Sequence, residues 1–252
     1  MRFPLLAARL ALIAMLLAAF LALLAVLLVR AGATSFAGGL EIMTAAVALG
    51  LIALALALIW LVAALKRNRG EGKRAGMPAL LGALILLYVP LHAAYEGIKA
   101  PPVHDVTTDP EDPPAFVALA ANSARFDAGA MIDYRGEHNT VSYMLHEYYP
   151  DITKPLAIIL VGKNPTGKMF WRCFNAAKRM GWRIVDFNEK GGRIEAVATS
   201  FWFGRPTDIV VRVRPAGTMG ARFDMRAASE KGERDFGHNL ALIKSYRAAL
   251  NS

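Results

Sequence analysis

Residues 10–29 read LALIAMLLAAFLALLAVLLV, 20 positions without a charged side chain. A bilayer core about 30 Å thick is crossed by roughly 20 helical residues at about 1.5 Å each, so this stretch is long enough to span. Two more stretches follow. Residues 42–65 carry no charge over 24 positions, and residues 77–95 carry none over 19 apart from a titratable His92. A helix satisfies its own backbone polar groups in lipid, which makes three membrane helices the expected form of residues 1–98.

Loop charges orient the spans. Between spans two and three lie Lys66, Arg67, Arg69, Lys73 and Arg74 against the single acid Glu71, whereas residues 30–41 hold one residue of each sign. Short basic loops stay in the cytoplasm. That predicts a cytoplasmic N-terminus with Arg2 and Arg9, and places everything after residue 96 outside. Arg2 and Arg9 before an apolar run, with Ala31-Gly32-Ala33 after it, also fit a secretory leader with a small-x-small cleavage site. The run is longer than an ordinary leader core and Arg30 crowds the site, which favours an uncleaved helix. Cleavage would leave the last domain on the same side. Tyr88 and Tyr95 suit an outer aromatic belt, Pro90 predicts a kink, and no acidic or basic side chain lies mid-span to form an ion path. The spans therefore read as an anchor rather than a conduit, with the lipid bilayer as partner.

The chain has 252 residues, 55% apolar, and a formal net charge of +9. Residues 1–98 contribute +5 of it, from eight basic and three acidic side chains, and residues 99–252 contribute +4, from 21 and 17. More than half the excess is thus membrane topology. The rest is interleaved with acids rather than gathered in a stripe, so nucleic acid is not an expected partner. Cys173 is the only cysteine. It excludes an intrachain disulfide, and its neighbours Phe170, Phe174 and Ala177 suggest a buried structural thiol.

Residues 99–115 hold Pro101, Pro102, Pro110, Pro113 and Pro114 among Asp105, Asp109, Glu111 and Asp112. X-Pro steps force extended or turn geometry, which reads as a tether leaving the membrane. Asp112 and Pro113 could then cap and start a short helix through Phe116 and Leu119. A helix is possible over residues 136–149. From residue 166 the pattern sharpens. Phe170, Phe174 and Ala177 mark one face of a helix that runs to Met180 and stops at Gly181. A shorter strand over 182–187 and three period-two runs over 193–201, 208–214 and 221–228 follow. Ile194, Ala196 and Ala198, then Ile209, Val211 and Val213, then Phe223 and Met225 form their apolar faces. A last helix from about Asp235 to Leu250 would bury Phe236, Leu240, Ile243 and Leu250. The expected fold of residues 116–252 is an α+β layer: an antiparallel sheet of about four strands with two helices on one face.

Several of these segments together carry a resemblance. HDVTTDP at 104–110, PPAF at 113–116, YPDI at 149–152 and Pro155-Leu156 are joined by MGW at 180–182, IEA at 194–196 and TDIVVRVR at 207–214. DMR at 224–226, with Ser229, Gly232, Asp235, Gly237 and Asn239, completes the set. The chain resembles, over about residues 100–250, the family called domain of unknown function 1499. The resemblance implies a bacterial protein with N-terminal hydrophobic spans, and it implies no chemistry; in a bacterium with two membranes the loop charges then place the spans in the inner membrane and the last domain in the periplasm. The family usually has a serine after the Asp-x-Arg and an arginine after the later serine. Ala227 and Glu230 stand there here, which argues against a catalytic role for those two places.

Two constellations could carry function. Glu195, Arg212, Arg214, Arg222, Asp224 and Arg226 share the sheet face opposite the apolar set. If the turn at 215–220 pairs 214 with 222, Arg212 falls opposite Asp224, a cross-strand pair worth roughly 0.2–1 kcal/mol. Such a face is either a solvated ladder or an anion site, since arginine grips carboxylate and phosphate through paired bonds. The second constellation is the polar loop from Ser229 through Asp235 to Asn239, at a helix N-terminus, where Asp235 could equally be a cap. His104, His138, His146 and His238 lack metal-ligand spacing, and no cofactor is implied. Residues 162–168 lack the phosphate-loop form because Met169 follows Lys168. The expected role is binding or scaffolding in the cell envelope, with an anionic envelope component or another membrane protein as partner and Arg212, Arg214, Asp224, Arg226, Ser229, Asp235 and Asn239 as candidate residues. The alternative is an extracytoplasmic enzyme acting on an anionic envelope substrate through Asp224, Arg226, Ser229 and Asp235.

Overall fold

The computed structural model of the chain describes residues 3–67, 72–120, 140–153, 156–159, 164–217, 220–229 and 235–251. They form two compact units: Met1–Tyr95 with Phe201–Gly204, and Glu96–Ser200 with Arg205–Ser252.

The first unit holds α1 (Phe3–Arg30), α2 (Phe36–Arg67) and all but the last four residues of α3 (Lys73–Lys99). Each contains its expected apolar stretch and extends beyond it, and all three are long and apolar enough to cross a membrane. Their packing inverts that of a water-soluble bundle. Ala11 meets Ala57 and Ala79, and Ala14 meets Ala53 and Ala83, so the interior is a seam of small side chains. Leu16, Leu17 and Phe20 of α1 and Leu81 and Ile85 of α3 face outward and exposed. Water would penalise such a surface. In lipid the outward leucines match the acyl chains, and close backbone approach along the alanine seam supplies the helix–helix attraction. Trp60 fills one end of the seam, and a Cβ on Gly76 would fall 2.2 Å from its indole.

The second unit holds β1 (Asp105–Thr107), α4 (Thr140–Tyr148), β2 (Leu156–Ile159), α5 (Pro165–Arg179), β3 (Arg183–Asn188), β4 (Arg193–Thr199), β5 (Pro206–Ala216), β6 (Gly220–Ser229) and α6 (His238–Asn251). The sheet is antiparallel in the order β1-β6-β5-β4-β3. β2 also pairs with β6, at Gly220 to Phe223, beside the positions β1 takes at Arg226 to Ala228. Period-two parity works as expected: Ile194, Ala196, Ala198, Ile209, Val211, Val213, Phe223 and Met225 turn to one core with Met169, Phe170 and Cys173 of α5 and Ile243, Tyr246 and Leu250 of α6. The fold is therefore an α+β layer with two helices on one face of an antiparallel sheet. Cys173 is buried, which pushes its thiol up to about 12. Its carbonyl accepts from the Tyr246 hydroxyl at 2.8 Å.

Local chemistry sets the ends of α5. Asn164, in the left-handed region, accepts the Gly167 amide, and Pro165 occupies the first turn. At the other end Gly181 (φ 74) donates to the Lys178 carbonyl and Trp182 to that of Ala177, the paired closure in which glycine is favoured. Gly192, at the β3–β4 turn, is more constrained. Its φ is +65 and a Cβ there would lie 2.1 Å from the Val213 carbonyl oxygen. Gly192→Ala combines left-handed strain with a clash against strand backbone that cannot swing away. It is expected to cost about 2–3 kcal/mol, read as a lowered Tm of the purified chain in detergent.

Four expectations change. The described residues give six strands rather than about four, because β1 and β2 are only three and four residues long, too short for an alternating pattern to register. The segment expected to be a tether contributes β1 and then lies on the sheet. No helix starts after Pro113: residues 113–116 take no regular structure and 118–120 form a turn. Phe236, expected in the core, is half exposed, because α6 begins two residues later, after two positive-φ residues, Phe236 and Gly237. Residues 136–139 of the possible helix over 136–149 lie outside the described residues, as do His138, residues 162–163 and Glu230.

Candidate functional site

Strand parity places Glu195, Arg212, Arg214, Asp224 and Arg226 on the sheet face away from α5 and α6; the pairing runs on to Ala216 and Gly220, inside the turn expected at 215–220, and keeps the expected register, Arg212 opposite Asp224 and Arg214 opposite Arg222. That face is roofed. Residues 108–119 cross it, and Phe116 and Leu119 bury themselves on Val197, Val210 and Ala228. The proline-rich segment is a strap, held by three polar clusters.

The first is a clasp between the strap and β5–β6. Arg212 Nη2 donates to Asp224 Oδ2 at 2.9 Å and to Asp109 Oδ2 at 3.3 Å; Arg214 Nη2 donates to the same two oxygens at 2.7 and 2.8 Å. Arg214 Nη1 also pairs with Asp112. Asp224 is fully buried, whereas the Asp112 side chain is 62% exposed. Three carboxylates thus share two guanidiniums, and Asp224 Oδ1 is buried with no partner among the described residues.

Arg214 holds the Asp112 carboxyl below its ordinary value, against an opposing effect of burial. Because its folded-state pKa is depressed, the ionised group adds stability above the unfolded value, and that contribution is lost as pH falls through the folded one. Acidification below about pH 4 is expected to loosen the strap. Faster hydrogen exchange of the Thr108 amide, which donates to the Met225 carbonyl at 2.9 Å, would report it. Asp112→Asn should flatten that acid dependence.

The second cluster is deeper. Arg226 Nη2 donates to Asp105 Oδ2 at 2.6 Å and Nε to Oδ1 at 3.0 Å. The guanidinium also reaches the Pro114 carbonyl at 3.4 Å and lies over the Phe116 ring, 5.3 Å from its centre. In the third, the buried carboxylate of Glu195 accepts the amides of Val117, Ala118 and Leu119 at 2.9, 3.1 and 2.8 Å, with Arg193 Nε 2.8 Å away.

The loop candidates meet elsewhere. Asp235 accepts the amides of Gly237 and Asn239 at 2.9 and 2.7 Å, as an N-terminal cap. Asn239 Nδ2 donates to the His104 carbonyl at 2.8 Å, and its side chain meets the Ser229 hydroxyl at 3.3 Å. Burial raises the Asp235 carboxyl, despite the two amides, and lowers His238. It also takes the Tyr149 hydroxyl up to about 12, with the Asp235 charge adding to the rise.

The candidates therefore separate. Asp224 joins Arg212 and Arg214, Arg226 joins Asp105, and Ser229 and Asp235 join Asn239. Among the described residues no three His, Cys, Asp or Glu side chains are grouped to hold a metal ion. What the arrangement can do is bind carboxylate-like groups on arginines, and the strap supplies two such groups itself. Sequence reasoning gave Asp112 and Phe116 to a short helix and did not place them, or Asp105 and Asp109, against the arginine face. Their signal was acids and an aromatic recurring through a proline-rich stretch, opposite a sheet face carrying Arg212, Arg214 and Arg226.

Comparison with known proteins gives two findings. No curated protein matches the chain. One family does, described as Protein of unknown function (DUF1499), over residues 105–250. That match begins at the first residue of β1, takes in the strap, the sheet and both covering helices, and covers more than half of the 252 residues: the chain belongs to the DUF1499 family.

Proposed function

We propose that this chain is a binding or scaffolding protein of the bacterial cell envelope, anchored in the inner membrane by α1–α3, with its family domain in the periplasm. Its arginine face takes an anionic group from an envelope component or from another membrane protein. The observation that carries this reading is the clasp. Arg212 and Arg214 already grip strap carboxylates, and the one from Asp112 is open to water, so an incoming carboxylate or phosphate can replace it without unroofing the sheet. Paired guanidinium donors suit that exchange.

Charge reversal at the arginines would set an acid against buried Asp224 and confuse binding with folding. Photo-crosslinking in intact cells from a benzoylphenylalanine at position 112 avoids this. Capture of an anionic component that falls with Arg214→Gln, and that a probe at exposed Lys190 does not reproduce, is the expected result. Equal capture from both positions ends the proposal. The orientation has its own test: an alkaline phosphatase fused after residue 252 should be active, and a cytoplasm-only fluorophore there dark.

A further inference from the structure

The turn between β4 and β5 is closed by Ser200 and Arg205. The Ser200 amide donates to the Arg205 carbonyl at 2.8 Å, and the Arg205 amide donates to the Ser200 hydroxyl at 2.9 Å. Between them stand Phe201, Trp202, Phe203 and Gly204. Tight turns are ordinarily built from glycine, proline, asparagine, aspartate and serine. Here three consecutive aromatics occupy the tip, with Phe201 82% and Trp202 52% exposed. Packing inside the sheet domain does not account for them, because Phe201–Gly204 groups with the apolar helices instead.

Within that helical unit the contacts are specific. The Phe203 ring meets Phe36 edge to face, with centres 5.3 Å apart. Arg30 Nη1 donates to the Phe201 carbonyl at 2.8 Å. Arg30 is the last residue of α1 and Phe36 the first of α2. These are the positions where two spanning helices leave the hydrocarbon, a level at which aromatic rings are enriched and a long cationic side chain keeps its charge in water. Three spans in succession return the C-terminal end of α3 to that level. There Tyr88 and Tyr95 are exposed, and Tyr88 stacks on His92.

We propose that Phe201 and Trp202 form an interfacial membrane anchor, seated at the headgroup–acyl boundary of the bilayer that α1–α3 cross. The occupant is lipid rather than a protein partner, because the turn already groups with helix ends that must lie at the lipid–water boundary.

The test uses the full chain in nanodiscs of phosphatidylcholine and phosphatidylglycerol. Phe201→Cys and Trp202→Cys are each labelled with a nitroxide; Cys173, being fully buried, serves as the unlabelled background. Relaxation by oxygen is expected to exceed relaxation by a water-soluble nickel chelate at both positions, as at Leu81→Cys on the outer face of α3. Lys190→Cys, on the exposed β3–β4 turn, should show the reverse. Labels at 201 and 202 that follow Lys190 overturn the proposal, as do labels shielded from both reagents, which would mean a protein covers the turn. A second measurement needs no label: bromine-substituted acyl chains should quench the native tryptophan emission more in the wild type than in Trp202→Phe. Equal quenching overturns the proposal as well.

Discussion

Asp105→Ala is expected to cost the family domain about 3–5 kcal/mol, the largest single loss foreseen for this chain. Asp105 is fully buried and Arg226 is 5% exposed. Removing the carboxylate strips the guanidinium of the partner that Nε and Nη2 both address, and leaves a positive charge deep against the sheet. The loss spreads through the fold. β1 is only three residues long, paired to β6 at Ala228, Ala227 and Arg226, and Arg226 also holds the Pro114 carbonyl and the Phe116 ring. Thermal unfolding of the detergent-solubilised chain, followed by near-ultraviolet dichroism of Trp182, should show the drop. The double variant Asp105→Leu with Arg226→Met should recover a large part of it, since apolar replacement of a buried pair is often neutral. A single variant as stable as the wild type would mean that the pair is solvated and that the strap is held by something else.

That pair also shows where sequence reasoning reached and where it stopped. The register of β5 on β6 was legible because the link from Ala216 to Gly220 is short and each strand is ten or more residues long, so parity and pairing are fixed locally. The arginines were legible as a face for the same reason. Their partners were not, because Asp105, Asp109 and Asp112 lie 100 or more residues away in sequence, in a stretch whose prolines say only that it is extended. The short helix expected after Pro113 fails for a related reason. Asp112 gives its carboxylate to Arg214 instead of capping, and the amides a first helical turn would leave free go to Glu195. The three spans needed no partner to be read: length and apolarity suffice. The alanine seam needed all three helices, since alanines at 11, 14, 53, 57, 79 and 83 look unremarkable among leucines until they face one another.

Glu195→Ala is the second large effect, expected at about 3–4 kcal/mol. Glu195 pairs in register with Val210 of β5 and Asp186 of β3, so its side chain rises from the middle of the sheet, where water reaches poorly. A carboxylate there is tolerated only because three consecutive amides and the Arg193 Nε meet it. Those amides are in turn held in a turn rather than a helix only because a carboxylate waits for them. Alanine breaks both halves: three donors lose their acceptor, and Phe116 and Leu119 lose the geometry that seats them on Val197 and Val210. Glu195→Gln separates charge from shape. It keeps an oxygen for one or two amides and turns its own amide donors against the remaining N–H, so it should fall between alanine and the wild type. Hydrogen exchange makes the distinction sharp: in Glu195→Ala the amides of Val117, Ala118 and Leu119 should lose protection together, while the Thr108 amide, bonded to β6, keeps most of its own. Loss at all four sites would mean that the strap detaches as one piece, and that Glu195 and the Arg212–Arg214 clasp act as a single cooperative closure.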